Sequence, residues 1–158
     1  MDSMVIKELQ AGDEVPLIKL GFSMWGESEQ FKRHPLNTHK LEQLAALIHT
    51  NDSMACFIAH NEEGYQGIWA GSVHPLWYSD DLVASDIVFY VKKKSRGSSA
   101  AVKLLLAAEK WAKNHNAKIF NIGLSSGIDT EKTICFFRKL NYCNQGTLMS
   151  KHIFEGLV

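Results

Sequence analysis

The chain has 158 residues and a mass of 17.8 kDa, enough for one domain with its own core and too little for two of ordinary size. Hydrophobic residues make up 46% and charged residues 22%, and 17 basic residues balance 17 acidic ones, so the pI is near 7.0 and nucleic acid is not an expected partner. Three cysteines without C-x-x-C spacing and seven scattered histidines speak for reduced thiols, against a disulfide framework and against a structural metal. No apolar run reaches the roughly eighteen residues of a membrane span. Met1 to Gln10 also lacks the apolar core of a signal peptide, so the expected compartment is the cytoplasm.

In chain order, Met4 to Leu9 alternates as a short strand, and Gly12 and Asp13 turn into an apolar helix over Val15 to Trp25. Gly26 to His34 is polar and ends at Pro35, which predicts a loop or a broken helix. Asn37 or Thr38 caps a helix in which Leu41, Leu44, Ala45 and Ile48 recur at helical spacing. Met54 to His60 and Gln66 to Val73 read as a hairpin across the turn Asn61-Glu-Glu-Gly64. Leu82 to Val91 is the next strand, and the unbroken apolar run Ile87 to Val91 predicts burial on both faces. Ala101, Leu104, Leu105, Ala108, Trp111 and Ala112 then form one apolar helical stripe. Lys118 to Leu124 is a strand, Asp129 or Thr130 caps a helix through Ile134, Phe137 and Leu140, and Tyr142 to Phe154 has strand character broken at Gly146. The order β α α β β β α β α β β, with no repeats or linkers, predicts one mixed α/β domain over residues 1–158.

The segment Val91-Lys-Lys-Lys-Ser-Arg-Gly-Ser-Ser-Ala-Ala101 joins a buried strand to the strongest helix. Small residues at a helix start leave several backbone N–H groups pointing one way, and with the helix dipole these form an anion site. Lys92, Lys93, Lys94 and Arg96 add positive charge around it.

Arg96-Gly97-Ser98-Ser99-Ala100-Ala101 resembles the R/Q-x-x-G-x-G/A acyl-CoA signature of the GNAT (GCN5-related N-acetyltransferase) superfamily. Arg96 and Ala101 fit, and Ser99 stands where the superfamily has glycine; serine is small, and its hydroxyl is able to donate to a phosphate. Phe137-Arg-Lys-Leu-Asn-Tyr142 resembles the Y-x-K-L-G-F element that closes the last helix in that superfamily. Asp86, just before Ile-Val-Phe, resembles the position of a catalytic glutamate in histone-acetylating members, and Met24-Trp-Gly-Glu-Ser28 is similar to small bacteriophage proteins of this type.

The resemblance implies a central mixed, mostly antiparallel sheet of six to seven strands flanked by about four helices. It implies acetyl-CoA as acyl donor, a primary amine as acceptor, and no metal. Phe89, Tyr90 and Val91 would pair with the pantetheine arm, while Gly97, Ser98, Ser99, Ala100, Ala101 and Arg96 would hold the diphosphate. Asp86 is the candidate general base, and Trp25, Glu27 and Glu29 are acceptor-side candidates. At the superfamily's usual general-acid position the chain has Phe137, which has no proton to give, so Tyr142, Tyr90 or water are the substitutes. Cys135, with no histidine near it in sequence, reads as a buried structural thiol, and His74 to Asp81 as a variable loop on the acceptor side. A CoA-binding domain without activity is the alternative, and a homodimer through a sheet edge or the C-terminal strands is compatible with either.

Overall fold

The computed structural model describes residues 3–153. They divide into two compact units, one made of the residues up to Met24 together with Asn37–Gly123, the other of Trp25–Leu36 and the residues from Leu124 onward.

In the first unit, β1 (Val5–Glu8), β2 (Met54–Asn61), β3 (Gly64–Leu76), β4 (Ser79–Val91) and β5 (Ala117–Asn121) form one sheet in the order of the chain. Neighbours are antiparallel as far as β4, and β5 lies parallel to β4. That reversal needs a crossover, which the helix Ala100–Asn114 supplies. Numbered in chain order, the helices are α1 (Val15–Glu27), α2 (Thr38–Thr50), α3 (Ala100–Asn114) and α4 (Thr130–Lys139). None is long and apolar enough, among the described residues, to cross a membrane.

Alternation along the strands sends side chains to two faces. One face carries Ala55, Phe57, Ala59, Trp69 and Val91, on which Ala100, Leu104 and Ala108 of α3 pack. Phe57, Trp69 and Phe89 are cross-strand neighbours, and Trp69 also stacks on Phe120 of β5 with ring centroids 5.5 Å apart. The indole of Trp69 lies across Gly71, where an added Cβ would sit 2.5 Å from the ring. Cys56, Ile58 and Ile68 alternate to the opposite face and are equally buried.

The β2–β3 hairpin forms as expected, with the Asn61 side chain accepting the Glu63 amide at 2.9 Å and Gly64 at φ +109°. Asn37 caps α2 by accepting the His39 amide at 3.0 Å. His74 to Asp81 is not a loop: β3 runs on to Leu76 and β4 begins at Ser79, a two-stranded ribbon with Trp77 and Tyr78 at its tip. Pro75 is tolerated there because β2 pairs with β3 only as far as Ser72, so no ladder bond is lost on that side.

In the second unit the polar stretch after α1 contains a short 3-10 turn at Phe31–Arg33. Buried Ser28 donates to the Ser126 carbonyl at 2.5 Å and accepts the Phe31 amide at 3.2 Å. Asp129 takes the N-cap position of α4 at φ +44°, without a side-chain capping bond. Phe137 is buried, with Phe136 and Tyr142 edge-on to it.

Among the described residues the sheet has five strands where six to seven were expected, because residues 142–153 form none. The Asn144 side chain accepts the Gly146 amide at 2.9 Å, a local turn that competes with ladder pairing. Phe154, the last residue of that expected stretch, lies outside the described residues.

Candidate functional site

β5 ends at Asn121 while β4 runs on to Val91, so the far end of β4 has an uncovered edge that opens a fork beside it. The register of the two strands runs from Leu82↔Ala117 to Ser85↔Asn121 and stops. Asp86 is the next residue of β4. On the other side of β4, Gly71 faces Asp86 while Ala70 faces Val88, so Ile87 is an extra, bulged residue. The bulge turns Ile87 outward, 47% exposed, which corrects the expectation that Ile87 to Val91 is buried on both faces. Beyond Asp86 the edge of β4 that faces away from β3 has no paired strand among the described residues.

Asp86 sits at the apex of the fork. Its Oδ1 accepts the Gly123 amide at 2.7 Å, just past the end of β5, and among the described residues no cation pairs with it. Burial pushes its carboxyl above the ordinary aspartate range, while the Gly123 amide and its own amide pull the other way. The net effect is upward.

At the open end of the fork the chain turns from Val91 through a 3-10 turn at Lys93–Ser95 into α3. Gly97 has φ +87°, the left-handed conformation that glycine adopts without strain. Ser99 has φ −76° and ψ −2°, which any L residue adopts, so serine in place of glycine distorts nothing. Its hydroxyl oxygen is buried, so the expectation that it reaches a phosphate is not met. The Ser98 amide is taken by the Ser95 carbonyl at 3.1 Å, and the Ala100 amide by Ser98 Oγ at 3.2 Å. The amides of Gly97, Ala101 and Val102 have no protein acceptor among the described residues.

The cations around this loop are more committed than the sequence suggests. Arg96 Nε donates to the Val91 carbonyl at 3.1 Å, and its guanidinium lies 5.8 Å from the centre of the Tyr90 ring. Val91 is therefore engaged by Arg96, and Tyr90 is buried beneath it. Phe89 packs its ring against the α3 face of the core. Lys94 pairs with Glu63 at 2.9 Å. The Lys92 ammonium is held below the usual lysine range, by burial first and then by repulsion from Lys94 and Lys19.

The structure therefore brings Asp86, the β4 edge and the Gly97 to Ala101 turn into one unit. Trp25, Glu27 and Glu29 belong to the other. There, the Trp25 indole donates to the His34 carbonyl at 2.8 Å and Glu29 pairs with Lys32 at 2.7 Å. Trp69 is a core residue and Trp77, 94% exposed, stands at the ribbon tip. Cys135 is exposed, not a buried thiol, because its position on α4 alternates away from Phe137. Gly123 was missed by the sequence reading: it falls inside the predicted strand Lys118 to Leu124, and nothing local marks its amide as a partner for Asp86. No group of three potential metal ligands occurs among the described residues.

Comparison of the sequence finds no matching family model and no matching curated protein. Comparison of the structure finds the aminoglycoside acetyltransferase AAC(6')-Iy, solved with a CoA bisubstrate analogue, at a TM-score of 0.74 and 16% identity over 94% of this chain and 97% of that one. Glucosamine-6-phosphate N-acetyltransferase from Arabidopsis thaliana aligns at a TM-score of 0.70 and 12% identity over 97% and 100% of the two chains. A protein described as a transcriptional regulator from Bacillus halodurans aligns at 0.76 and 14% over 95% and 99%. The chain has the mixed α/β fold of the GNAT acetyltransferases among its structural neighbours.

Proposed function

Starting from that fold, we propose that residues 1–158 act as one N-acetyltransferase domain that moves an acetyl group from acetyl-CoA to a primary amine of a small molecule or protein, by direct attack in a ternary complex. The observation that carries this reading is the fork itself: a carboxylate at its apex, an unpaired strand edge along it, and unpartnered amides at its mouth. Asp86 and Val91 are five positions apart, at most roughly 17 Å of extended strand. An extended chain bearing amides, with a diphosphate at one end and a thioester at the other, matches that layout.

The residues fit such a donor. Gly97, Ala101 and Val102 offer N–H groups at the start of α3, where the helix dipole favours an anion. Phe89 and Tyr90 belong to the strand edge, Ser98 and Ala100 keep the turn narrow, and the lysines Lys92 and Lys19 add positive field. Arg96 fixes the turn by holding the Val91 carbonyl. Bound acetyl-CoA supplies the acyl carbon; the chain's own residues do the rest.

With a lysine-like pKa of about 10.4, only roughly one amine in two thousand is unprotonated at neutral pH. Asp86 takes the ammonium proton, directly or through a water, before the freed amine attacks the thioester carbonyl, and its upward shift makes it a stronger base than an ordinary aspartate. The Gly123 amide fixes one carboxylate oxygen and so orients the group. Departure of CoA needs no assigned acid, since a thiol of pKa about 8.5 leaves tolerably well as the anion. For Trp25, Glu27 and Glu29, which belong to the other unit, an acceptor-binding role is proposed from the resemblance alone.

A second reading is a CoA-binding regulator without turnover, favoured by Phe137 in place of a tyrosine and by the neighbour described as a transcriptional regulator. Thiol release from acetyl-CoA, measured across polyamines, aminoglycosides and peptides, separates the two. Release above background with at least one amine is expected. Background release together with a CoA-induced rise in melting temperature establishes the second reading, and no rise at all overturns both.

A further inference from the structure

We infer that Gln66 and Ser95, two buried polar residues far apart in sequence, form the positioning device that sets the loop at the mouth of the fork for diphosphate binding. The inference rests on the proposed CoA reading and names residues that the signature does not include.

Gln66 is 0% exposed and Ser95 7%. A buried amide is costly unless each of its polar atoms has a partner. Here all of them do. The Gln66 side-chain nitrogen donates to the Gly64 carbonyl at 3.2 Å, which fixes its oxygen as the acceptor for Ser95 Oγ at 2.6 Å. The Gln66 backbone carbonyl accepts the Lys92 amide at 2.8 Å. One residue of β3 therefore grips the loop at both Lys92 and Ser95.

From Ser95 the connection continues to the helix. Its carbonyl accepts both the amide of Ser98, at 3.1 Å, and the hydroxyl of Ser98, at 2.6 Å. The same Ser98 oxygen accepts the Ala100 amide at 3.2 Å. This relay uses the amides of Ser98 and Ala100 inside the protein and leaves those of Gly97, Ala101 and Val102 for a ligand. It also fixes the chain on both sides of Gly97, whose left-handed conformation would otherwise be one of several open to glycine. A site whose donors are held before the ligand arrives loses less entropy on binding.

The test is calorimetric titration with CoA of the wild type, Ser95→Ala, Ser95→Thr, Gln66→Met and the Ser95→Ala/Gln66→Met double variant, with circular dichroism and melting curves on each. Each single removal should weaken CoA about tenfold, the size expected from one buried hydrogen bond. The double variant should be no weaker than the worse single variant, because both removals break the same Ser95–Gln66 bond and Gln66→Met alone already loses the bond to Gly64 as well. Ser95→Thr, which keeps the hydroxyl, should restore most of the affinity. If the wild type binds CoA and folded Ser95→Ala binds it equally well, the inference fails while the proposed function stands. Additive losses in the double variant, or no rescue by threonine, overturn it too. A wild type that does not bind CoA removes both. Should Gln66→Met not fold, Ser95→Ala against Ser95→Thr still decides.

Discussion

Asp86 is held where its charged form is disfavoured, and that has two measurable consequences. Its carboxyl titrates above the unfolded value of about 3.9, so the native state bears a cost for ionising it at every pH above the native pKa. The cost shrinks as pH falls through the native pKa and vanishes below the unfolded one. Asp86→Asn keeps an oxygen for the Gly123 amide and removes the charge. It should therefore melt higher than wild type at pH 7, with the advantage gone below about pH 4. The same variant should lose about 10²-fold or more in turnover at pH 7 and less near pH 10, where the amine deprotonates unaided. A pH-independent loss in the rate profile would assign Asp86 a structural role. The Cys56 thiol shows the same effect. Burial raises the Cys56 pKa to about 12, so a thiol reagent at pH 8 should titrate Cys135 and Cys143 in the native protein and Cys56 only after unfolding.

Elements are where the sequence spoke most clearly and also where it misled. The α3 stripe and the Arg96 to Ala101 turn were legible because small residues, charge and helical period all occur within a dozen positions. The Ile87 bulge was not, since a run of apolar residues has the same composition whether or not one of them is extruded. Asp86 and Gly123 are 37 positions apart, and the Gln66–Ser95 bond spans 29, so neither contact leaves a local trace. His74 to Asp81 was expected as a loop from the resemblance alone; a ribbon with one edge uncovered tolerates Pro75 and the acidic pair Asp80 and Asp81 there. Glycines divide by mechanism. Gly71→Ala should fail to fold, because its Cβ would meet the Trp69 ring at 2.5 Å and the Ser85 carbonyl. Gly97→Ala has open space around it and should fold with a loss of about 1–2 kcal/mol, from φ +87° alone, and with weakened CoA binding. Urea melts of the two variants check the contrast.

For the whole molecule, saturation with acetyl-CoA at about a hundredfold over its dissociation constant should add about 2.7 kcal/mol, or about 5–10 °C in melting temperature for a chain of this length. Scanning calorimetry with and without ligand measures it. The parallel pairing of β5 has a kinetic meaning as well. β2, β3 and β4 join through two tight turns and find one another early, whereas β5 docks only after α3 has carried the chain across, a closure over a much longer loop. Against the β2–β4 meander the fork should therefore close later during folding and open sooner when the protein is stressed. Amide exchange in Ala117 to Gly123 should then run ahead of exchange in the β2–β4 meander, so that loss of the reactive geometry precedes loss of the fold.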